Sequence, residues 1–290
     1  MVHRILIVTA VAAEADSVSA GLGLGGAELL PLPGGLVLRR HADSPGDAPA
    51  GSPGDAPAGS PDSPDSPGDG SPGSPGGRLR VDVLVGGVGP AAVAASTGTA
   101  LAYAALTDPP GPSGPSGSGD PYDLVVSAGI AGGFQPLAPL GSVVVSSAVV
   151  AADLGAQTPD GYLTVDELGF GRSVHPVPEA LTARIAAALA AAGRPHTVAP
   201  VLTVSTVTGT AGRAAELAGL RPGAAAEAME GFGVAEAAAG YAVPVVEIRA
   251  VSNAVGPRDR AAWRIGEALE ALRHTFELLG KTVFLELEPS

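Results

Sequence analysis

The sequence predicts a single α/β domain, a central mixed and twisted sheet flanked by helices, and three observations predict it. Short runs of β-branched residues alternate with Ala- and Leu-rich stretches of helical length. Glycine-containing turns directly follow several of those runs, as in sheets that bind ligands at the carboxyl ends of their strands. With 290 residues, 46% of them hydrophobic, the chain can bury a full core as one domain over 1–290.

The elements follow in order. Ile5–Thr9 is an apolar strand. Its extension to Ala13 behind His3-Arg4 imitates a short secretory signal, but the charged flank is thin and Glu14 interrupts the run. No stretch reaches the ~18 uninterrupted apolar residues of a membrane span, so a soluble cytoplasmic protein with no membrane partner is expected. Gly35–Arg40 and Arg78–Val85 read as the two strands of a hairpin, and His41–Gly77 extends its tip. That segment holds SPGDAPAG twice, at Ser44–Gly51 and Ser52–Gly59, and lacks any large apolar residue, so it is expected to be a disordered loop. A helix over Ala91–Leu106 leads into a second Pro/Gly/Ser insertion, Asp108–Pro121. Strands follow at Leu124–Ser127 and Ser142–Ala151, then a helix over Pro178–Ala192 and a strand over Val201–Thr206. A helix over Gly233–Ala239, a strand over Val243–Val251 and a helix over Arg260–Leu279 complete the chain.

Charge and composition narrow the function. The formal net charge is −13, and six Asp of His41–Gly77 supply nearly half of it. The acidic body argues against nucleic acid as a partner, because a phosphate backbone needs a basic face. Cysteine is absent, which excludes disulfides and thiolate metal sites. The five histidines, His3, His41, His175, His196 and His274, have no ligand spacing, so neither metal nor cofactor is expected. Lys281 is the only lysine among 16 basic residues, a compositional bias that leaves the Ala richness uninformative.

The most informative stretch is Val245–Trp263, VVEIRAVSNAVGPRDRAAW. A β-branched run ends there in Ser252-Asn253, a polar pair at the expected ligand edge. Gly86-Gly87-Val88-Gly89-Pro90 lets the backbone turn sharply or approach a ligand. As a dinucleotide loop it is poor, because the next acid, Asp108, falls outside a strand; a plain strand–helix turn accounts for it equally. Ala128–Phe134, AGIAGGF, reads as a second small-residue turn after a strand. Glu14 closes the first strand region, and Glu230 sits in the small, apolar run AAAEAMEGFG. A carboxylate in such surroundings is costly unless partnered, although a helix-face or capping role explains either acid alone.

Ile7–Glu14 (IVTAVAAE), Gly86–Pro90, Ser127–Phe134 (SAGIAGGF), Met229–Glu230 and Ile248–Asn253 (IRAVSN), in that order, resemble the purine nucleoside phosphorylase/nucleosidase superfamily. Within it the chain is most similar to the methylthioadenosine/S-adenosylhomocysteine nucleosidase branch, and SNAVGPRDRAAW resembles the futalosine hydrolase family of the alternative menaquinone pathway. The resemblance spans nearly the whole chain outside the two insertions. It implies a nucleoside phosphorylase-like fold, hydrolysis of an N-glycosidic bond, a small-molecule nucleoside substrate, and a homodimer or larger homo-oligomer whose neighbouring subunit closes the 5′ side of each pocket.

The resemblance also implies roles. Glu14 activates water, Met229 packs under the ribose, Glu230 binds the ribose hydroxyls, and Asn253 recognises the base. Val207, Thr208 and Gly209, with Thr210, line the purine slot, without the usual aromatic. Ser252 adjoins the base, and Arg258 or Arg260 offers a cation to an acidic 5′ substituent, if they do not simply cap the last helix and pair with Asp259. Adenine-specific nucleosidases carry Asp where this chain has Asn253 and Ser where it has Ile130. An amide cannot protonate N7 but can donate a hydrogen bond toward N7 or a 6-oxo oxygen, so Asn253 favours hypoxanthine over adenine. Loss of a general acid costs around 10²–10⁴ in rate, which hydrogen bonds to the departing base would have to offset. A phosphorylase is disfavoured by the charge of Glu14, an adenine nucleosidase by Asn253; a non-catalytic nucleoside-binding protein would not need Glu14.

Overall fold

The computed structural model describes residues 2–42, 78–107 and 122–287. The first half contains β1 (Val2–Thr9), α1 (Ala12–Leu22), β2 (Glu28–Pro31), β3 (Val37–Ala42), β4 (Arg78–Val85), α2 (Pro90–Thr107) and β5 (Leu124–Gly133). Next come β6 (Val143–Ala151), β7 (Gly155–Thr158), β8 (Gly161–Thr164), β9 (Val174–Pro176), α3 (Glu179–Ala191) and β10 (His196–Thr203). The chain then forms α4 (Ala211–Leu220), β11 (Ala226–Ala228), α5 (Gly231–Ala239), β12 (Val245–Ala254) and α6 (Ile265–Gly280).

Ten strands form one mixed sheet in the order β11-β10-β6-β12-β5-β1-β4-β3-β2, with β9 on β6 and β7–β8 a separate hairpin. A further pairing of β11 with β5 closes five strands into a ring, so part of the sheet is a barrel. β1, β4, β5 and β12 run parallel, and their centres are buried runs of Val, Ile, Leu and Ala, as in strands covered on both faces, with Asp82, Glu247 and Arg249 among the buried charged exceptions. Helices pack outside: α1 against α6, α2 against α5. Leu101, Val126, Ile248, Leu272 and Phe276 are among the residues that fill the shared core. This is one α/β domain of the expected class, and among the described residues no helix is long and apolar enough to cross a membrane.

Several boundaries differ from the sequence reading. His41 and Ala42 belong to β3, paired with Val81 and Arg80, because the His41 ring is buried and held by Ser19 Oγ at 3.1 Å and the Gly25 carbonyl at 3.3 Å. The rest of the first insertion, 43–77, and all of 108–121 lie outside the described residues. Ala128–Phe134 is not a turn: β5 runs on to Gly133, paired along both sides with β12 and β11. Its small residues serve close packing rather than chain reversal. Glu14 lies in the first turn of α1, not at the end of a strand. β12 extends to Ala254, so Ser252 and Asn253 are strand residues. The final helix starts only at Ile265, because Arg264 N–H donates to the Ser252 carbonyl (2.7 Å) and ties the preceding loop to β12.

Candidate active site

The first acid is fixed by backbone alone. Glu14 is 4% exposed, and its Oε2 accepts from the N–H groups of Ala10 (2.9 Å) and Val11 (3.2 Å) at the start of α1. Its Oε1 accepts from the N–H of Ile130 on β5 at 2.9 Å. A carboxylate at a helix N-terminus also has the favourable end of the helix dipole. Ile130 therefore contributes its backbone, whatever its side chain does.

Glu230 is held from a different direction. It is 6% exposed and accepts from Gly89 N–H and Met229 N–H, both at 3.3 Å. Gly89 belongs to the Gly86–Pro90 loop, where Gly87 and Gly89 adopt φ of +94° and +92°, a region that side chains disfavour. The loop thus turns its N–H toward a carboxylate of its own chain.

Between these acids lies Arg249, which the sequence reading passed over. It is 1% exposed on β12 and bonds Glu247 through Nε (2.8 Å), Glu230 through Nη2 (3.2 Å) and Ser127 Oγ through Nη2 (3.1 Å). Burial opposes its charge, but the carboxylates of Glu247, Glu230 and Glu14 outweigh that and hold its pKa above the ordinary guanidinium value. Burial pushes the Glu247 carboxyl up, against the attraction of Arg249. A Cβ on Gly129 would stand 2.5 Å from Glu14 Oε1 and 2.6 Å from Arg249 Nη1, so the two side chains converge over that glycine. Arg249 Nη1 is a buried donor with no partner, an arrangement found where ligands complete the bonding. The signal was present in sequence: Glu247 and Arg249, two apart in a strand, share a face with opposite charges.

Asn253 lines a cleft together with Gly132, Val207, Thr208, Glu227, Arg258 and Trp263, among others. Asn253 is oriented by its neighbours: Ser252 Oγ donates to Oδ1 (2.9 Å) and Nδ2 donates to the Ala254 carbonyl (3.0 Å). The stretch 207–210 holds no aromatic, but Trp263 is an aromatic lining of the same cleft. Arg258 and Arg260 lie over its ring at 5.2 and 5.8 Å, while Asp259 accepts from Ala261 N–H (3.1 Å). Gly209 meets the same loop through a bond from Arg258 N–H to its carbonyl (3.3 Å). Glu227, also missed, is 4% exposed, and Thr208 donates to it through both its N–H (2.8 Å) and its hydroxyl. Burial pushes its carboxyl up, and the Thr208 bonds oppose the shift. Pro90, Thr203 and Phe232 border a second cavity of about 330 Å³ that reaches Asp153 and Leu154.

Comparison with known proteins identifies the family. The sequence model of the Phosphorylase superfamily matches residues 77–283. The futalosine hydrolase of Streptomyces coelicolor is 61% identical over 191 residues, 66% of this chain and 74% of that one. The futalosine hydrolase of Acidothermus cellulolyticus is 38% identical over 275 residues, 95% and 89% of the two chains. Among solved structures, the 5′-methylthioadenosine/S-adenosylhomocysteine nucleosidase of Helicobacter pylori superposes with a TM-score of 0.69 at 16% identity, covering 98% of each chain. The family model and these relatives show it: the chain belongs to the phosphorylase superfamily and, within it, to the futalosine hydrolase family.

Proposed function

We propose that this chain hydrolyses the N-glycosidic bond of futalosine, releasing hypoxanthine and dehypoxanthine futalosine, in the cytoplasm as a step of menaquinone biosynthesis. The observation that carries the reading is the convergence of Glu14 and Arg249 over Gly129, beside Glu230 and next to the cleft that holds Asn253. Bond breaking leaves positive charge on the ribose in an oxocarbenium-like transition state. Arg249 Nη1, a buried donor without a partner, holds the attacking water, and Glu14 orients it and takes its proton. Glu230 accepts from the ribose hydroxyls, and Met229 packs beneath the ring. Asn253, its amide held by Ser252 and Ala254, donates to the leaving base and stabilises the charge that develops there. Val207, Thr208 and Gly209 shape the slot, and Arg258 covers it over Trp263, where its guanidinium can also meet an acidic 5′ substituent.

Phosphorolysis is the rival within the superfamily. Three carboxylates, Glu14, Glu230 and Glu247, surround the single guanidinium of Arg249, which leaves no net positive site for phosphate. Incubation with futalosine, inosine and methylthioadenosine, with and without phosphate, tests the reading. Hypoxanthine should appear from futalosine at a rate independent of phosphate; a phosphate requirement, or no release, would overturn it. The working unit is a homodimer or larger assembly whose neighbour closes the 5′ side, and a fully active monomer by light scattering would exclude that.

A further inference from the structure

Gly132 is the middle of a row of three residues across the closed part of the sheet. β11 pairs Glu227 with it on one side, and β12 pairs Asn253 with it on the other. Residues opposite one another on neighbouring strands send their side chains to one face. Glu227 and Asn253 therefore flank a position that has no side chain. Strands lie about 4.8 Å apart, so the two Cα atoms bracket a slot roughly 10 Å wide. A Cβ on Gly132 would intrude to 3.2 Å from Asn253 Nδ2. Both polar residues line the same cleft with Thr208 and Trp263.

Glu227 has no part in the bond-breaking array. Thr208 engages both of its oxygens, one each through N–H and hydroxyl, which fixes the carboxylate and leaves each oxygen a second lone pair. A buried carboxylate held by one neutral residue needs a further donor. A 6-oxopurine carries one, its N1–H, next to the 6-oxo oxygen that an amide donor recognises. A 6-aminopurine presents a bare ring nitrogen there, an acceptor facing an acceptor.

We infer that Glu227 is a specificity-determining residue that accepts the N1–H of a 6-oxopurine base, while Asn253, across Gly132, donates to the O6/N7 edge. The inference rests on the reading that the chain cleaves a 6-oxopurine nucleoside. Two clamps on one base discriminate more sharply than either alone, since the wrong base leaves a buried group unpaired on both sides; sites of this kind reject mismatches by up to ~10⁴-fold.

Calorimetric titration of the full-length protein with hypoxanthine and with adenine tests it, using wild type and Glu227→Gln. Wild type should prefer hypoxanthine by roughly 10²-fold or more. In Glu227→Gln the amide can donate to the bare N1 of adenine, so the preference should collapse to within a few-fold. Equal weakening of both bases, or an unchanged preference, would overturn the assignment and leave Glu227 as a support for Thr208. If the variant does not fold, wild type titrated with 1-methylhypoxanthine decides: binding as tight as that of hypoxanthine overturns the inference, and a loss above tenfold upholds it. Futalosine hydrolysis by wild type is measured in parallel. Hydrolysis with an unaltered base preference in Glu227→Gln sinks the role of Glu227 alone, and intact base preference without hydrolysis sinks the functional reading alone.

Discussion

Glu14 is set by three backbone donors rather than by other side chains, so its substitution can be read chemically. Glu14→Gln keeps the shape and removes the base. It should abolish hydrolysis while nucleoside binding survives; turnover within threefold of wild type would refute its role. Gly129 makes a second test possible. Gly129→Ala inserts a methyl 2.5 Å from Glu14 Oε1 and 2.6 Å from Arg249 Nη1, both in a crowded interior. Overpacking should cost about 1–3 kcal/mol of stability, and displacing the acid should lower kcat by roughly 10²-fold or more; thermal melting and steady-state kinetics measure the two. Asn253→Asp should move the kcat/KM ratio toward adenine nucleosides, because the acid can protonate N7 and accept from the 6-amino group. Wild type cleaving methylthioadenosine as fast as futalosine would defeat that expectation.

Between β3 and α1, the buried His41 ring ties two elements together through Ser19 and Gly25. Burial, with the Arg39 charge, holds its pKa below the ordinary 6.5, while the Gly25 bond and Asp82 pull the other way. The folded state thus binds fewer protons than the unfolded one, so this contribution to stability is present above pH 6.5 and is lost as pH falls through the lowered value. Melting temperature should drop across that acid window in wild type, and less steeply in His41→Gln. Identical slopes would show that the ring does not couple to folding. At this scale much was legible in sequence. β4, α2, α3, α5 and β12 fall within a few residues of their expected spans, because apolar periodicity and flanking Gly or Pro mark them. α4 was missed because only one of its residues, Leu217, is buried, which leaves a single apolar point rather than a stripe, and β11 and β2 because three or four residues show no period. Of the site, Glu14, Glu230 and Asn253 stood out as polar groups against apolar runs. Arg249 was only half legible: its pairing with Glu247 can be read from their spacing, but its bonds to Glu230 and Ser127 exist only in the folded sheet, as does the placement of Glu227 against Thr208.

For the molecule as a whole, the β3–β4 pairing fixes how the chain tolerates change. Ala42 pairs with Arg80 and His41 with Val81, so the ends of the first insertion are already held together by the sheet. Replacing Ser44–Pro75 with a short turn should leave activity and melting temperature nearly unchanged, because closure entropy varies slowly with loop length. A large loss of either would show that the repeat packs on the body or on a partner subunit.

The closure of β11 onto β5 has a consequence for how the protein meets its own copies. A ring of strands offers no unpaired backbone, so the large sheet keeps open sides only at β2 and β9 among the described residues. These strands are four and three residues long, and each ends in a proline, Pro31 or Pro176, which has no N–H to give. A growing fibril needs a long, flat edge as its template. This sheet presents only two stubs, so concentrated samples of the folded protein should cluster without ordered cross-β growth and remain dark to amyloid dyes.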